Sequence, residues 1–328
     1  MDEVAERAGV SRALVSLVMR GSPRVSEQSR ATVLSAADAL QYRPNLMARN
    51  LASKRTTTIG LILNDLHNPF FPEIADGIYE AAEGRDYRVL INSGFLQPAT
   101  EQRAVDTFLD LRTDGIILAG PALASRAIER AAKTLPVVAV GRSIRSPLVD
   151  TVNNDEAVGA GLVVDHLVKL GHTRLVHIDG GRGAGAAARR TGFVSAMESH
   201  GLSADVVPGS FTEASGVAAM DQILRRTSRP TAVFAANDLM AVGALDRIDD
   251  AGLVVPDDIS LVGYDNIALS SLHHISMTTV DQPRLAMGRL AVDALLERIE
   301  QSRTTKVRHV LAPSLEVRAT TGPPREHL

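Results

Sequence analysis

Few residue types in this chain could do chemistry. It has no cysteines, which excludes disulfides, thiolate metal ligands and a cysteine nucleophile. Its nine histidines are scattered, His273 and His274 are merely adjacent, and no HExxH-type spacing sets two imidazoles on one helix face. No metal site, no cofactor and no Ser-His-Asp set is expected. One segment has the form of a phosphate-binding turn. Gly183 to Ala188, GAGAAA, satisfies G-x-G-x-x-A after an apolar run and before a helical one, and Asp205 lies about 20 residues beyond Gly185, as a ribose-binding acid would. Asp205 nevertheless precedes the short apolar pair Val206-Val207, whereas a ribose acid ends its strand. A nicotinamide enzyme is therefore the alternative, and a protein that is not an enzyme is the expectation.

A different chemistry is written near the start. VAERAGVSRALVSLVMRG, Val4 to Gly21, consists of helix formers except at Gly9-Val10-Ser11. Such a break suits two short helices set at a large angle, a helix-turn-helix. Helices are predicted at Glu3–Ala8, Arg12–Met19 and Glu27–Leu40, with Ser11 and Ser26 as N-caps and Gly9 free to take the positive φ of the turn. Val4, Ala5, Ala8, Val10, Val15 and Val18 would share a core with Val33, Leu34 and Ala37. In this motif the N-terminus of the second helix meets base edges in the major groove. Ser11, Arg12, Ala13 and Ser16 stand there, and Arg12 suits either a guanine edge or a phosphate. Ser16, Arg20, Arg24 and Ser29 would position the backbone. Net charge is −3 overall, yet nine Lys/Arg against five Asp/Glu give the first 55 residues +4 and leave −7 for the rest. A basic head on an acidic body points to a phosphate-bearing partner.

The body must position whatever the head responds to. At 328 residues the chain exceeds one ordinary domain. Pro44 ends the third helix, Asn45 to Ala52 could make two more turns, and Ser53 to Thr58 is a polar linker. Short apolar runs then alternate with amphipathic segments. Strand candidates are Ile59–Leu63, Val89–Asn92, Gly115–Ala119, Val137–Val140, Leu175–Ile178, Val206–Val207, Ala232–Ala235 and Leu261–Gly263. Helices such as Pro72–Glu83, Glu101–Leu111, Glu156–Leu170, Ala188–His200, Ala214–Arg225 and Asp238–Ala251 lie between them, Asp155 and Asp238 reading as N-caps. This alternation predicts an α/β body of two doubly wound parallel-sheet lobes, with ligands at the carboxyl ends of the strands. The expected division is a head over 1–43, a hinge helix and linker over 44–56, and an effector domain over 57–328. Its lobes would comprise about 57–152 with 283–305, and 153–282 with 306–320. No apolar run reaches membrane-spanning length and the N-terminus is polar, so a cytoplasmic location with no membrane partner is expected.

VAERAGVS, followed by YRPN and an α/β body, resembles the lactose-repressor/galactose-repressor (LacI/GalR) family of bacterial transcription regulators, and the resemblance runs to near Thr320. It implies a homodimer on double-stranded operator DNA, without a tetramerising coil, since no apolar heptads follow Ala312. It also implies a hinge helix that forms on DNA, with Leu51 wedged into a minor-groove step, Ala48 beside it, and Asn45 and Arg49 on the polar side. Packing of Leu46, Met47 and Leu51 between head and body is the alternative. The body is similar to periplasmic sugar-binding proteins (type I), which implies a small sugar or polyol effector. NDLHNPFFPEIADGI would supply Asn68, Phe70 and Phe71, VGRS Arg142, AAARRTGF Arg189, and GSFTEASG Phe211. AANDLMAVGA would supply Asn237, LVGYDN Tyr264 and Asp265, and TTVDQP Gln282. Aromatic faces would hold the ring while planar amide, carboxylate and guanidinium groups bind paired hydroxyls.

Three departures stand out. Leu14 and Leu17 occupy positions where the family usually has Thr and Arg, so they either meet a different operator or turn inward. The chain starts at Met1 without the residues that usually precede the first helix, which implies a misassigned start or weaker DNA binding. Gly141 stands where the sugar binders often carry an acid. A transport component is the other reading, but it would carry an export signal and no basic head.

Overall fold

The computed structural model describes residues 1–19, 22–42 and 55–325. It divides into two compact units, Met1–Thr56 and Thr57–Leu328. In the first, α1 (Asp2–Ala8), α2 (Arg12–Met19) and α3 (Glu27–Ala39) follow one another through short turns. Gly9 ends α1 at φ 65° and ψ 32°, a conformation that costs a residue with a Cβ. Ser11 Oγ accepts the Leu14 amide at 3.2 Å and Ser26 Oγ the Ser29 amide at 3.3 Å, so both serines satisfy helix-start donors. Val4, Ala5, Val15, Val18, Val25, Val33, Ala36 and Ala37 form the buried core. Leu34, expected there, is 48% exposed: on α3 the spacing of Val33, Ala36 and Ala37 claims the inner face and turns Leu34 aside. Leu14 and Leu17 are half-buried against this core, so the inward alternative holds for both.

The second unit has two lobes. The first is built from β1 (Thr58–Leu63), α4 (Phe70–Glu83), β2 (Arg88–Ser93), α5 (Pro98–Asp110), β3 (Gly115–Ala119), α6 (Ser125–Ala132), β4 (Val137–Val140) and β5 (Val149–Asn154). The second holds α7 (Glu156–Lys169), β6 (Leu175–Ile178), α8 (Ala186–Ser199), β7 (Asp205–Val207), α9 (Glu213–Leu224), β8 (Ala232–Ala235), α10 (Asp238–Asp250), β9 (Ser260–Asp265) and β10 (Thr278–Asp281). A short 3-10 turn, Ala268–Ser271, precedes β10. The chain then returns through α11 (Arg284–Glu300) and β11 (Arg308–Leu311) to the first lobe and ends with β12 (Ser314–Glu316) in the second. Strand order is β2-β1-β3-β4-β5-β11 in one sheet and β7-β6-β8-β9-β10-β12 in the other, with only β12 antiparallel to its neighbour. Crossovers through helices account for the parallel order.

Two expectations change. β5, β10, β11 and β12 are absent from the expected strands, because they are short or carry polar residues that burial alone makes compatible with a sheet. The last lobe boundary also moves: β11 pairs with β5, so the return to the second lobe falls after Leu311 and not at 305–306.

β5 shows why sequence pattern was a poor guide. Asp150 lies in it, fully buried, with Arg298 Nε and Arg303 Nη2 each at 2.6 Å and the Val307 amide at 2.8 Å. Burial pulls this carboxyl upward, but the two guanidiniums and the amide outweigh it and hold it below the usual carboxylate range. The knot pins β5, α11 and the segment before β11 together. Asp150→Asn should cost about 3–5 kcal/mol in a urea melt, because it leaves buried Arg298 without its counter-charge and Arg303 with Glu297 alone. The wild-type contribution should be fully present above the ordinary carboxylate range and be lost as pH falls from there through the lowered value that Asp150 has in the folded chain, which melts at graded pH would register.

Candidate functional site

The chain passes between lobes at Asn154–Glu156, Asp281–Arg284 and Leu311–Ser314, each time at the carboxyl end of a strand and with at most two residues in between. Connections this short hold the carboxyl edges of the two sheets against one another. Side chains that follow β1, β3, β4 and β5 therefore meet those that follow β6, β8, β9 and β10, the place where doubly wound folds collect ligand-binding groups.

On the second lobe the centre is Arg189 of α8, 3% exposed. Its Nη2 and Nε lie 2.6 and 3.0 Å from Glu156 Oε2, its Nη1 donates to the Ala236 carbonyl, and its guanidinium lies 3.4 Å from the centroid of the Tyr264 ring. Burial alone would lower its pKa, but Glu156, Tyr264 and Asp265 overcome that and keep it charged. Phe211, held at φ 57°, has its ring centroid 5.6 Å from the same guanidinium. The ring lies so close to Gly180 and Gly183 that a Cβ on either would fall 2.3 Å from it, which explains why that loop is glycine-rich. Asn237 Oδ1 caps α10 through the Met240 amide at 3.0 Å, and its Nδ2 donates to the Phe211 carbonyl at 3.3 Å. Gln282 Nε2 donates to Asp265 Oδ1 at 2.6 Å, and Asp265 has no ion-pair partner among the described residues. Burial pushes the Asp265 carboxyl well above the usual carboxylate range, against the pull of Arg189. Six expected residues, Arg189, Phe211, Asn237, Tyr264, Asp265 and Gln282, thus lie within one connected region.

The first-lobe residues behave differently. Asn68 Oδ1 accepts the Phe70 amide at 3.0 Å, and Phe70 and Phe71 meet edge to face at 5.2 Å inside the lobe's apolar cluster, each 8% exposed. They are core as much as platform. Arg142 is directed elsewhere: its Nη1 donates to the carbonyls of Pro121 and Leu123 at 2.9 and 2.7 Å, in the loop that Glu101 also anchors through the Ala122 and Leu123 amides. Tyr264 needs a similar correction, since it is fully buried beneath Arg189 and its hydroxyl takes a 2.7 Å hydrogen bond from Asn154 Nδ2 of the first lobe. It supports the site from below. Asp238 is no cap: it is buried and accepts from Thr279 Oγ1, Ser270 Oγ and the Ile267 amide, while burial pushes its carboxyl up to about 6. Asp155 does cap α7, through the Val158 amide at 3.2 Å.

Sequence reasoning missed several groups here. By sequence Glu156 is only the first residue of the helix Glu156–Leu170, and Asn154 only lies beside the expected change of lobe. Arg190 pairs with Asp179 at 2.5 Å. Arg284, 9% exposed, joins the lobes: its Nε lies 2.7 Å from Glu73 on α4 and its Nη2 2.9 Å from the Asn266 carbonyl just after Asp265. The clearest pointer is a set of buried polar atoms without hydrogen-bond partners. Among the described residues there are six, and four of them are Asn64 Oδ1, Asn154 Oδ1, Asp179 Oδ1 and Arg284 Nη1. Asn64 follows β1, Asn154 ends β5, Asp179 follows β6 and Arg284 follows β10, so all four belong to the facing edges. Buried polar groups are nearly always paired, so exceptions that gather on the facing edges are candidate partners for a polar ligand.

In the head, Ser11, Arg12, Ala13 and Arg24 are exposed and Ser16 and Ser29 half-buried. Arg12 lies 3.5 Å from Asp2 with both side chains mostly in solvent, which leaves it free to exchange that carboxylate for a phosphate or base. Arg20, Asn45, Ala48, Arg49 and Leu51 lie outside the described residues. The dinucleotide alternative fails on geometry: Asp205 opens β7 and pairs with Arg226, at the opposite end of the strand from a ribose acid. Among the described residues no cluster could hold a metal ion, and no helix is long and apolar enough to cross a membrane.

Comparison with known proteins agrees with both units. Residues 1–45 match the model of bacterial regulatory proteins of the lacI family, and residues 56–318 match that of periplasmic binding proteins and the sugar-binding domain of the LacI family. The ribose operon repressor of Escherichia coli K12 is 34% identical over 98% of this chain and 99% of its own length. The lac repressor dimer bound to operator and an anti-inducer superposes with a TM-score of 0.87 at 30% identity, covering 97% of this chain and 98% of that one. The regulator CelR in complex with cellobiose does so with a TM-score of 0.74 at 32% identity and the same coverage. Two family models that together span head and body, on a fold with the matching two-lobed architecture, place this chain in the LacI family of bacterial regulatory proteins, DNA-binding regulators with a sugar-binding effector domain.

Proposed function

We propose that this protein is a homodimeric, sequence-specific repressor acting in the cytoplasm by binding and not by catalysis, with a small sugar or polyol in its cleft controlling how firmly it holds operator DNA. The four unpaired polar atoms at the facing sheet edges, beside a buried Arg-Glu-Tyr cluster, carry the effector half of this reading. A relative that represses a ribose operon and a neighbour in complex with cellobiose support the ligand class.

In this mechanism Ser11, Arg12, Ala13 and Ser16 read the major groove, and Arg20, Arg24 and Ser29 hold the backbone. Asn45, Ala48, Arg49 and Leu51 form the hinge contact in the minor groove. Two heads on a two-fold axis read a near-palindromic operator. Asp265, Gln282, Asn237, Arg189 and Phe211 contact the effector from one lobe, Asn68, Phe70 and Phe71 from the other, while Tyr264 and Arg142 act through the groups they support. The ligand shifts operator affinity only as far as it binds two lobe arrangements unequally. Asn266, which follows Asp265, is tied through Arg284 to Glu73 across the cleft, so a ligand on Asp265 acts directly on an inter-lobe contact.

The dimer surface includes the edge of the first sheet. Leu90 and Ile91 on β2, Phe95 and Leu96 after it, and Tyr79 on α4 are all at least 40% exposed. An apolar edge strand of this kind is an aggregation hazard unless a second copy covers it.

Three outcomes are expected. Asp265→Ala should abolish the effector's influence on operator binding in a gel-shift titration while affinity without effector stays unchanged; a retained response would remove Asp265 from the site. Leu51→Ala should weaken operator binding on the order of tenfold or more, as loss of a wedge that kinks DNA at a few kcal/mol would, with effector affinity intact by calorimetry. Ile91→Lys should shift the dimer toward monomer in sedimentation at micromolar concentration without unfolding the chain.

A further inference from the structure

The charges of the cleft are arranged with a consistent bias. Each buried cation there has spent its charge internally: Arg189 on Glu156 at 2.6 Å, and Arg284 on Glu73 at 2.7 Å with Asp281 at 3.5 Å. Half-buried Arg190 is likewise matched by Asp179 at 2.5 Å. Arg142 is committed to backbone carbonyls. On the glycine-rich loop after β6 one cation, Arg182, faces solvent, where water screens most of its attraction. The acids are not matched in the same way. Asp265 is 4% exposed and bonded only to neutral Gln282, and Asp238 behind it is bonded only to hydroxyls and an amide.

The unpaired atoms carry the same bias. Asn64 Oδ1, Asn154 Oδ1 and Asp179 Oδ1 are acceptors, and one, Arg284 Nη1, is a donor. Such a set calls for a ligand that brings several donors. A hydroxyl donates and accepts, and so satisfies an amide on either face. A phosphate or carboxylate only accepts. Such a group satisfies none of the three oxygens and sets its charge where no buried cation is free to balance it.

We propose that the cleft selects an uncharged polyhydroxylated ligand and discriminates against the phosphorylated or carboxylated form of the same sugar. This rests on the effector reading above and narrows its chemical class. Glu156 is the selectivity-determining residue, because it cancels the guanidinium of Arg189, which lies between the Phe211 and Tyr264 rings.

The test uses the full-length protein and matched probes: D-ribose with D-ribose 5-phosphate, D-glucose with D-glucose 6-phosphate and D-gluconate, and cellobiose with cellobionate. Thermal shift screens them and calorimetry ranks the binders. Within any pair that binds, the neutral member should be favoured by about a hundredfold, a gap of two decades in Kd. An anion that binds as tightly as its neutral partner, or alone, overturns the selectivity and leaves the sugar-effector reading standing. Failure of every probe, neutral and charged, overturns both. Glu156→Gln, which keeps a hydrogen bond to Arg189 but removes the counter-charge, should shrink the gap by tenfold or more. An unchanged gap in a variant that melts like the wild type refutes the role of Glu156.

Discussion

A guanidinium that is 3% exposed must be neutralised where it lies, and much of the cleft follows from how Arg189 meets that requirement. Its counter-charge comes from α7, its carbonyl acceptor from the end of β8, and its aromatic support from β9. Removing Glu156 would leave a charge in a medium that cannot solvate it, and the carbonyl and the ring add to the same side chain, so three separate elements of the second lobe are held in register by it. Stacking on Tyr264 adds a contact worth about 2 kcal/mol when desolvated. Tyr264 in turn takes a hydrogen bond from Asn154 at the end of β5, which extends the constraint to the first lobe.

The lobes are joined by polar links at the positions where a ligand would lie. Asn154 reaches Tyr264, Arg284 reaches Glu73 and Asn266, and Ile267 shares an apolar cluster with Phe70 and Phe71 of the first lobe. Contacts of this type are individually modest and directional, so they suit a junction with more than one arrangement better than a continuous apolar core would. Asp265 and Asn266, with φ of 118° and 54°, occupy a backbone region that residues with side chains rarely adopt. Strain of that kind at a turn beside a candidate site is characteristic of geometry held in place by its surroundings.

The head solves a smaller problem with fewer means. Its core is mostly valine and alanine, and its turn depends on Gly9 and on two serine caps. Because Leu14 and Leu17 contribute to that core, the exposed chemistry of α2 is concentrated at its first two residues, Arg12 and Ala13, just after Ser11. In the proposed mechanism base recognition is confined to this short surface.

What the sequence determined by itself was whatever depends on local periodicity and local hydrogen bonding. The helix break at Gly9, the caps at Ser11, Ser26 and Asp155, and strands such as Gly115–Ala119 and Leu175–Ile178 were all legible, since each is decided by residues within a few positions of one another. The residues expected near the cleft were found through motifs, yet their roles were not fixed by them. Only the tertiary structure decided that Tyr264 supports Arg189 from below, that Arg142 ties down a loop, that Asp238 is a buried acceptor and that Glu156 is the counter-charge. It also decided that β5, with Asp150 and two asparagines, is a strand and that β11 belongs to the first sheet. The physical reason is common to these cases. A buried charge or amide is tolerable only if a partner arrives from elsewhere in the chain, and for Asp150 that partner is about 150 residues away.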